Sequence, residues 1–380
     1  MAALWYIMGV RSLMAIQPYT KDLIPYVKAF SSRLKAAGLQ DWHLVPEKNT
    51  PEWWPHVEGE NIYQEYFVAV DNGFVRGFYS LIHRDFSFRG EMQPVGYLLY
   101  PVSEGVIGRN FGWVAPQMLG SALKARPLLL NNLDLTGVLL EMLKALGWSI
   151  KSVPFYFKVN RPARFLREMR SFRSTGVRRL MTDIAAATGL GGLALKTLQT
   201  ARSKRGRFGD RAEFFQSFSN WANDLWNDCK GRYGMIALRD SKALNILYPP
   251  GSERVLRYRV CQGDSVLGWA VLSVKQMQDD LQFGNMVVGS IVDCLAPPEN
   301  ASSVIRTVTR ELEERGVDLI VSNHRHASWC TALREAGFLA GPSRRLLGMS
   351  VELAKLLHSR GIEISEVYIT RGDGEGPIVV

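Results

Sequence analysis

The feature that most constrains the fold of this chain is an internal repeat, in which the second half restates the order of the first. Four kinds of landmark recur: a glycine–aromatic pair in a hairpin strand, a glycine opening a central strand, a short apolar strand, and a glycine–aromatic pair ending a helix. The matched members are Gly77-Phe78 and Gly268-Trp269, Gly96 and Gly289, Leu128–Leu130 and Leu319–Val321, and Gly147-Trp148 and Gly337-Phe338. Their separation stays between 190 and 193 residues. A tandem duplication is the simplest account of this regularity.

Each repeat predicts the same succession of helices and strands. Hydrophobic periodicity predicts an amphipathic helix over 19–38 in the first half and over 214–229 in the second. A hairpin follows in each half, with turns at 71–73 and 262–264. A central strand, a helix, a buried strand, a further helix and a last strand complete the unit. This alternation favours the α/β (α+β) class, with a mixed central sheet flanked by helices in each repeat.

Length and charge divide the chain further. A chain of 380 residues predicts two domains. Between 151 and 211 there are 15 Lys and Arg residues against three acidic ones, and this stretch predicts a basic helical connector. The predicted organisation is a lead over 1–13, a first domain over 14–159, the connector over 160–211 and a second domain over 212–380.

The connector allows three interpretations. It can be a pair of surface helices that bridge two domains, or an electrostatic tether to an anionic membrane surface, since clustered Lys and Arg attract anionic headgroups. Nucleic acid is a third and disfavoured partner, because stacking aromatics are sparse there.

The composition of the chain bears on where in the cell the protein is expected and on which kinds of functional site it can contain. Four cysteines lie far apart with no C-x-x-C pair, which fits neither a disulfide framework nor a zinc site and predicts reduced thiols. No run reaches the roughly 18 apolar residues that a membrane span needs. The apolar start of the chain lacks the basic region and cleavage site of a signal peptide. We therefore expect a cytoplasmic protein, peripheral at the inner face of the membrane if the connector is a tether, and no metal.

One stretch of the first half, 95–112, has the pattern of an anion site. An apolar run of strand length stops at Pro101, and a loop with Gly105, Gly108 and Arg109 leads into a predicted helix. A buried strand, a glycine-bearing loop and a helix N-terminus can bind phosphate, because backbone N–H groups and the helix dipole both point at the anion.

The order of elements, with Val75-x-Gly77-Phe78 in the hairpin and this loop after the central strand, resembles the GNAT superfamily of acyl-CoA N-acyltransferases, present twice over 16–159 and 212–351. The resemblance implies acetyl-CoA or another acyl-CoA as co-substrate, held by a loop of the form Arg/Gln-x-x-Gly-x-Gly/Ala. Here Arg109 and Gly112 match that form, whereas Val114 stands where a small residue is usual and would crowd a phosphate. The matching stretch 296–301 has no glycine and two prolines, so the second half is expected to have lost CoA binding.

The chemistry implied by the resemblance is attack of an amine on a thioester, which needs a base, an oxyanion donor and an acid. Glu104, at the end of the first central strand, is a candidate base, and Tyr100 could line the same cleft. Asp293 lies inside an apolar strand, where a carboxylate must be paired or functional, and a raised pKa would suit a base. His324 follows the next strand and could act as a base or contact the acceptor. The polar tail 371–376 is either a loop over a cleft or a frayed end.

The predicted function is acyl transfer from acyl-CoA to a small-molecule amine, with an amino sugar or another cell-envelope polysaccharide precursor as the acceptor. The stretch 289–296 and the tail 371–377 are similar to GNAT-like proteins found beside bacterial polysaccharide-biosynthesis enzymes. Two alternatives stay open. The pair of domains could be a non-catalytic binding or scaffold module at the membrane surface, or a Fem-type transferase, which also has two GNAT-like domains and uses aminoacyl-tRNA.

Overall fold

The computed structural model of this chain describes residues 14–39, 55, 59–60, 62–169, 197, 199, 209–343 and 345–374. The predicted lead over 1–13 and most of the predicted connector lie outside the described residues. The chain divides into two compact units. Unit 1 takes its residues from 1–84, 94–149 and 348–354, and unit 2 from 85–93, 150–347 and 355–380.

The first part of the chain alternates strands and helices. Its elements are β1 (Ala15–Pro18), α1 (Ile24–Ala36), β2 (Ile62–Asp71), β3 (Phe74–Phe88), β4 (Glu91–Ser103), α2 (Val114–Ala125), β5 (Leu129–Asp134), α3 (Val138–Ala145), β6 (Ser149–Ser152), β7 (Phe155–Val159) and α4 (Pro162–Glu168).

The later part repeats this alternation. Its elements are β8 (Asp210–Phe214), α5 (Asn220–Cys229), β9 (Met235–Ala237), α6 (Ser241–Leu247), β10 (Leu256–Gln262), β11 (Ser265–Gln276), β12 (Val287–Leu295), α7 (Ala301–Glu314), β13 (Leu319–Ser322), α8 (Ala327–Glu335), β14 (Leu339–Gly341), β15 (Arg345–Met349), α9 (Val351–Ser359) and β16 (Val367–Tyr368).

Within unit 1, the strands of one sheet follow the order β1-β2-β3-β4-β5. Its hairpin between β2 and β3 turns at Asn72 and Gly73, which both have positive φ, as a two-residue turn of this hand requires. Strands β4 and β5 are parallel, and α2 makes the crossover between them. Helix α1 buries Val27, Phe30 and Leu34 against the hairpin, so one apolar face explains both the helix and its place on the sheet.

The sheet of unit 2 runs in the order β14-β7-β13-β12-β11-β10-β8. Strands β12 and β13 are parallel, and the neighbouring pairs are antiparallel. Strand β7 lies between β13 and β14, although it precedes the connector in the sequence. A shorter ladder pairs β9 with β16 and with residues Phe86–Phe88 of β3.

The predicted architecture of two mixed sheets flanked by helices is confirmed. The helix predicted over 214–229 is wrong in its first half. Residues Asp210–Phe214 form an edge strand on β10, and α5 begins only at Asn220. The apolar residues Phe215 and Phe218 suggested a helical stripe, but they pack together edge to face between the strand and the helix. Tertiary packing therefore overrides the helical periodicity here.

Candidate functional site

Unit 1 contains the parallel pair β4–β5 and unit 2 the parallel pair β12–β13, and in each pair the first strand continues beyond the last paired residues. In unit 1, β4 and β5 are paired from Gly96–Leu129 to Leu98–Asn131 and no further. In unit 2, the last pair of β12 and β13 is Ile291–Ser322. We call the region beyond the last pair the wedge of each unit. Open α/β sheets bind ligands outside the carboxyl ends of such strands, so the two wedges are the first places to look for a site.

In the wedge of unit 1, strand β4 is distorted at Tyr100. This residue has a φ of 52°, in the left-handed region that bulky side chains rarely adopt, and Pro101 follows it. Its side chain is 46% exposed. Backbone strain of this kind is concentrated at ligand sites. The distorted residue is thus a partly exposed tyrosine just beyond the last paired residue of β4.

Several apolar side chains close in sequence to the same wedge stay exposed. They follow the ends of β4 and β5 in the sequence and comprise Val106, Ile107, Leu135 and Val138, of which Val138 is 78% exposed. Scattered exposed apolar residues need no explanation, but a group of them at one end of a sheet is typical of a surface that receives a ligand or a partner.

Glu104 is buried at the start of the loop that leads from β4 to α2. One carboxylate oxygen accepts a hydrogen bond from Arg33 Nε, and the other accepts one from Arg76 Nη1 at 2.6 Å. The Arg76 guanidinium also lies 4.5 Å from the ring centroid of Phe111, in the middle of the loop. Glu104 therefore ties α1, β3 and the loop together through two arginines.

The loop itself presents an arginine and a helix start to solvent. Arg109 and Gly112 are exposed, and the N-cap of α2 at Trp113 makes no side-chain capping bond. The first N–H groups of a helix have no partner within that helix, and they carry the positive end of its dipole. Val114 is fully buried, and its Cγ1 lies where a side chain at Gly77 would meet it. The bulk of Val114 thus faces the interior and leaves the outer face of the loop uncovered.

The wedge of unit 2 is filled by side chains. Tyr368 donates from its hydroxyl to the carbonyl of Cys294 at 2.6 Å, and Tyr233 donates to the carbonyl of Ala296 at 2.6 Å. Trp329 donates from Nε1 to the Tyr233 hydroxyl at 2.9 Å. All three aromatic residues are buried. The carbonyls at the end of β12 are therefore already satisfied within the unit.

Asp293 lies at the centre of a buried ionic network. Arg239 Nη2 donates to Asp293 Oδ1 at 3.0 Å and to Asp373 Oδ2 at 2.7 Å. The hydroxyls of Tyr248 and Thr370 donate to the two Asp293 oxygens at 3.0 and 2.9 Å. Burial alone would lower the pKa of Arg239, but the two aspartates overcome this and raise it well above its usual value. Asp293 is therefore a paired and multiply hydrogen-bonded ion.

The tail supplies half of this network. Residues Arg371–Asp373 form a short helical turn, with Thr370 N donating to Asp373 Oδ2 at 2.9 Å. Gly372 packs directly against the Tyr248 hydroxyl, where a side chain would collide. Of the two expectations for the tail, neither a loop over a cleft nor a frayed end describes 371–374, which lie in the interior of unit 2. Residues 375–380 are outside the described residues.

His324 is fully buried beside this network. Its Nδ1 lies 2.6 Å from Ser322 Oγ, and its ring stacks with Trp329 at a centroid distance of 5.7 Å. Burial, with a smaller effect of Arg239, lowers the pKa of His324 to about 3. Burial likewise lowers the pKa of His326 to about 4. Both imidazoles are neutral at physiological pH.

Comparison with proteins of known structure identifies the fold. No family model matches the chain, and no curated protein is significantly similar in sequence. Among solved structures, a conserved Enterococcus faecalis protein of unknown function, described as a probable N-acyltransferase, matches with a TM-score of 0.52 at 8% identity, covering 90% of this chain and 73% of that one. A GCN5-related N-acetyltransferase from Anabaena variabilis matches with a TM-score of 0.52 at 9% identity, over 89% and 73%.

A third structure, Saccharomyces cerevisiae N-myristoyltransferase with bound myristoyl-CoA, matches with a TM-score of 0.51 at 11% identity, over 90% of this chain and 78% of that one. The chain has the GNAT fold. The resemblance drawn from the order of elements is thereby confirmed for the fold.

On the GNAT fold, the sequence-predicted residues fall into two groups. Tyr100, Glu104, Arg109, Gly112 and Val114 follow one another along β4 and its loop in unit 1. Asp293 and His324 lie in unit 2. The Tyr368 ring is 4.9 Å from the guanidinium of Arg239, which pairs with Asp293, and 6.1 Å from the His324 ring. Their individual roles stay predictions.

Sequence analysis missed the partners of Asp293. It does not identify Arg239, Tyr248 or Thr370, which donate to Asp293, although a carboxylate in an apolar strand requires a cation. The available signal was Arg239, an isolated arginine directly after the apolar strand β9.

Within the described residues, no group of three or more His, Cys, Asp or Glu could hold a metal ion. None of the described helices is long and apolar enough to cross a membrane.

Proposed function

We propose that this chain transfers an acyl group from acyl-CoA to an amine and that unit 1 binds the acyl-CoA. The observation that carries the proposal is the contrast between the two wedges of one GNAT fold. The wedge of unit 1 is bordered by accessible apolar side chains, Tyr100 and an exposed loop, whereas the wedge of unit 2 is occupied by Tyr368, Tyr233 and Trp329.

The loop before α2 is suited to the pyrophosphate of CoA. Arg109 supplies a positive charge, and the start of α2 supplies backbone donors and the helix dipole. The buried position of Val114 keeps a β-branched side chain away from the phosphates. Glu104 supports this arrangement indirectly, because it fixes Arg76 beneath Phe111. We assign Glu104 to loop positioning, since guanidinium groups already engage both of its oxygens.

The proposed reaction is direct transfer. The amine nitrogen attacks the thioester carbonyl carbon, the new C–N bond forms, the C–S bond breaks, the amine loses a proton and the CoA thiolate gains one. We assign the protonation of the CoA thiolate to the hydroxyl of Tyr100, a residue that is 46% exposed. The proton that the amine loses passes to solvent water, from which the Tyr100 phenolate recovers its own. The acceptor we propose is a small-molecule amine, with an amino sugar or a cell-envelope polysaccharide precursor as the first to try.

Calorimetric titration with acetyl-CoA tests the proposal. We expect binding by the intact protein and a loss of at least tenfold in affinity in Arg109→Glu, because the variant places a negative charge beside the pyrophosphate. Arg310→Glu makes the same change of charge on an exposed arginine of unit 2 and should bind as the parent protein does. Absence of binding at millimolar acetyl-CoA would overturn the proposal.

A second candidate function is acyl-CoA binding without catalysis. It is favoured by the burial of Asp293 and His324 and by the engagement of Glu104, which leave Tyr100 as the accessible member of the predicted catalytic set. A panel of amines separates the two candidates: release of free CoA thiol with an amine, abolished in Tyr100→Phe, supports transfer, whereas binding with no thiol release supports a binding module.

Membrane association through 160–211 remains a proposal of its own. In the described start of that stretch, Arg161 Nη1 and Arg164 Nε lie 3.5 and 3.4 Å from the buried Asp318 carboxylate, so these two charges are partly neutralised within unit 2. The proposed attraction to anionic lipid rests on the remaining basic residues. Flotation with vesicles containing phosphatidylglycerol, reversed by high salt, is the expected result.

A further inference from the structure

The hairpin that joins β11 to β12 in unit 2, residues 277–286, presents a leucine to solvent. Leu281 lies in its turn and is 86% exposed, more than any other large apolar side chain of the described residues. A single exposed leucine is common on protein surfaces and by itself indicates nothing. The way in which this leucine is held, and the charges beside it, are what set it apart.

The turn around Leu281 is fixed by hydrogen bonds of its own. The backbones of Asp280 and Gly284 exchange two N–H···O bonds, at 3.1 and 3.0 Å. Asp280 Oδ1 also accepts from the backbone N–H groups of Gln282 and Phe283, both at 2.8 Å. Because the backbone is already ordered, contact of Leu281 with a partner costs little further conformational entropy.

Helix α4 supports the hairpin from the side. Glu168 Oε2 accepts from the backbone N–H of Asn285 at 2.9 Å, and Arg164 Nη2 donates to the Asn285 carbonyl at 2.9 Å. Buried side chains from both elements belong to one apolar cluster, namely Phe165 and Met169 from α4 and its end, and Met277 and Met286 from the hairpin. The hairpin and α4 therefore form one packed surface of unit 2.

Basic residues predominate around this surface and in the chain that leaves it. Residues 161–168 and 275–285 together contain four basic and three acidic side chains. The four basic ones are exposed and are Arg161, Arg164, Arg167 and Lys275. Residues 170–208, which follow Met169 in the sequence, contain nine Lys and Arg against one acidic residue. The projecting leucine thus lies beside the start of the most basic segment of the chain.

An anionic membrane suits this combination better than a protein partner does. A stable protein interface buries about 800 Å² on each side, which is far more than one leucine supplies. Proteins that lie on anionic bilayers instead combine basic residues, which attract the head groups, with apolar side chains that enter the boundary of the acyl chains.

We propose that Leu281 inserts into the head-group boundary of an anionic membrane while α4 faces the lipid head groups. This inference rests on the membrane association proposed for 160–211 and adds to it an apolar contact made by the hairpin. Transfer of a leucine side chain out of water favours binding in addition to the electrostatic attraction.

Binding of the full chain to vesicles of phosphatidylcholine and phosphatidylglycerol tests the inference. We expect Leu281→Gln to weaken binding about tenfold, because the insertion of one leucine side chain is lost. Leu146→Gln makes the same exchange at a leucine of unit 1 that is 47% exposed, and it should bind as the parent protein does.

A fluorescent label reports the insertion directly. The four native cysteines are buried, so an environment-sensitive fluorophore attached to Leu281→Cys marks this one position. Its emission should shift to the blue when vesicles with phosphatidylglycerol are added and should stay unchanged with phosphatidylcholine alone.

The outcomes separate this inference from the association on which it rests. If the parent protein binds the anionic vesicles, Leu281→Gln binds them equally well and the emission does not shift, insertion of Leu281 is refuted while the electrostatic association stands. If the parent protein does not bind, the association fails and the insertion with it. Dimerisation of the parent protein that Leu281→Gln abolishes, with unchanged vesicle binding, would assign the leucine to a contact between two copies and overturn the inference.

Discussion

The wedges of the two units have the same arrangement of paired strands, but the side chains at matching positions are exposed in one unit and buried in the other. The last rungs, Leu98–Asn131 and Ile291–Ser322, bring Tyr100 into correspondence with Asp293 and Val138 with Trp329. The unit 1 members are 46% and 78% exposed, whereas Asp293 and Trp329 are completely buried. The same strands and the same helix start therefore border an accessible surface in one unit and a packed interior in the other.

The difference shows how side chains of the protein itself can fill a wedge of this kind. A wedge exposes strand carbonyls that need donors, and in unit 2 these donors are the hydroxyls of Tyr233 and Tyr368. The carboxylate of Asp293 in turn requires a buried cation, and Arg239 requires a second carboxylate, which Thr370–Asp373 provides. Each of these buried polar groups is hydrogen-bonded to the next one. Removal of one group would therefore weaken the whole network.

The largest expected effect is on the ionic network of unit 2. Arg239→Met should lower the free energy of unfolding by about 3–5 kcal/mol, because it leaves Asp293 and Asp373 buried without a counter-ion. Urea denaturation measures the loss. The counterpart in unit 1 is Arg76→Met, which leaves Glu104 paired with the partly exposed Arg33 and should cost about 1 kcal/mol. Equal losses in the two variants would contradict the distinction between a closed and an open wedge.

The next largest effect on stability is expected from removal of the Tyr368 hydroxyl, which donates a hydrogen bond to the Cys294 carbonyl. Tyr368→Phe should cost about 1–3 kcal/mol of unfolding free energy, since the Cys294 carbonyl would stay buried without a donor. The corresponding deletion in the wedge of unit 1, Tyr100→Phe, should cost less stability than Tyr368→Phe, because Tyr100 is 46% exposed, and it should act on thiol release. Thermal and urea unfolding of both variants decide the point, and a stability loss in Tyr100→Phe as large as that in Tyr368→Phe would refute it.

Acid should destabilise unit 2 through its buried histidines. Burial lowers the pKa of His326 from 6.5 to about 4, so between these values the unfolded chain binds a proton that the folded chain does not. The free energy of unfolding therefore falls as the pH falls through this window, by up to about 1.4 kcal/mol per pH unit for this group. His326→Asn keeps an acceptor for the Ser328 N–H that His326 caps, and removes the titration.

Urea denaturation at pH 6.5, 5.5 and 4.5 compares the two proteins. The variant should lose less stability than the parent on acidification, by the amount that one histidine contributes. Burial, with a smaller effect of Arg126, lowers the pKa of His83 in unit 1 to about 4 as well. Because His83 is present in both proteins, its contribution to the pH dependence cancels when the two are compared. An unchanged pH dependence in His326→Asn would show that this histidine is not the group responsible.

Much of the fold could be predicted from the sequence, because the order of helices and strands follows from local hydrophobic periodicity and the same order occurs twice. The glycine turns, the alternating strands and the helix-ending glycines gave the element order and the GNAT resemblance. The pairing of β7 between β13 and β14 carries no local signal, because a strand's partners depend on distant residues.

The candidate site was less predictable, for a related reason. The sequence identifies Asp293 as a carboxylate in an apolar strand. Its counter-ion Arg239 lies 54 residues before it, and Asp373, which also pairs with Arg239, lies 80 residues after it. The sequence around Asn131 likewise does not show that its side chain donates to the Leu98 carbonyl, 33 residues earlier. Such properties exist only once the strands have been brought together.

The smallest effect on stability is expected at Val138, the exposed counterpart of Trp329. Val138→Trp should change the free energy of unfolding by less than about 0.5 kcal/mol, because the side chain projects from the surface of unit 1. It should nevertheless weaken CoA binding at least tenfold, since the indole would occupy the wedge as Trp329 does in unit 2. Val138→Ser, which shortens the side chain at the same position, should leave the wedge open and CoA affinity within about threefold. Equal CoA affinity in Val138→Trp and the parent protein would mean that the opening beside α3 is not where the ligand enters, and the contrast between the two wedges would then reflect packing alone.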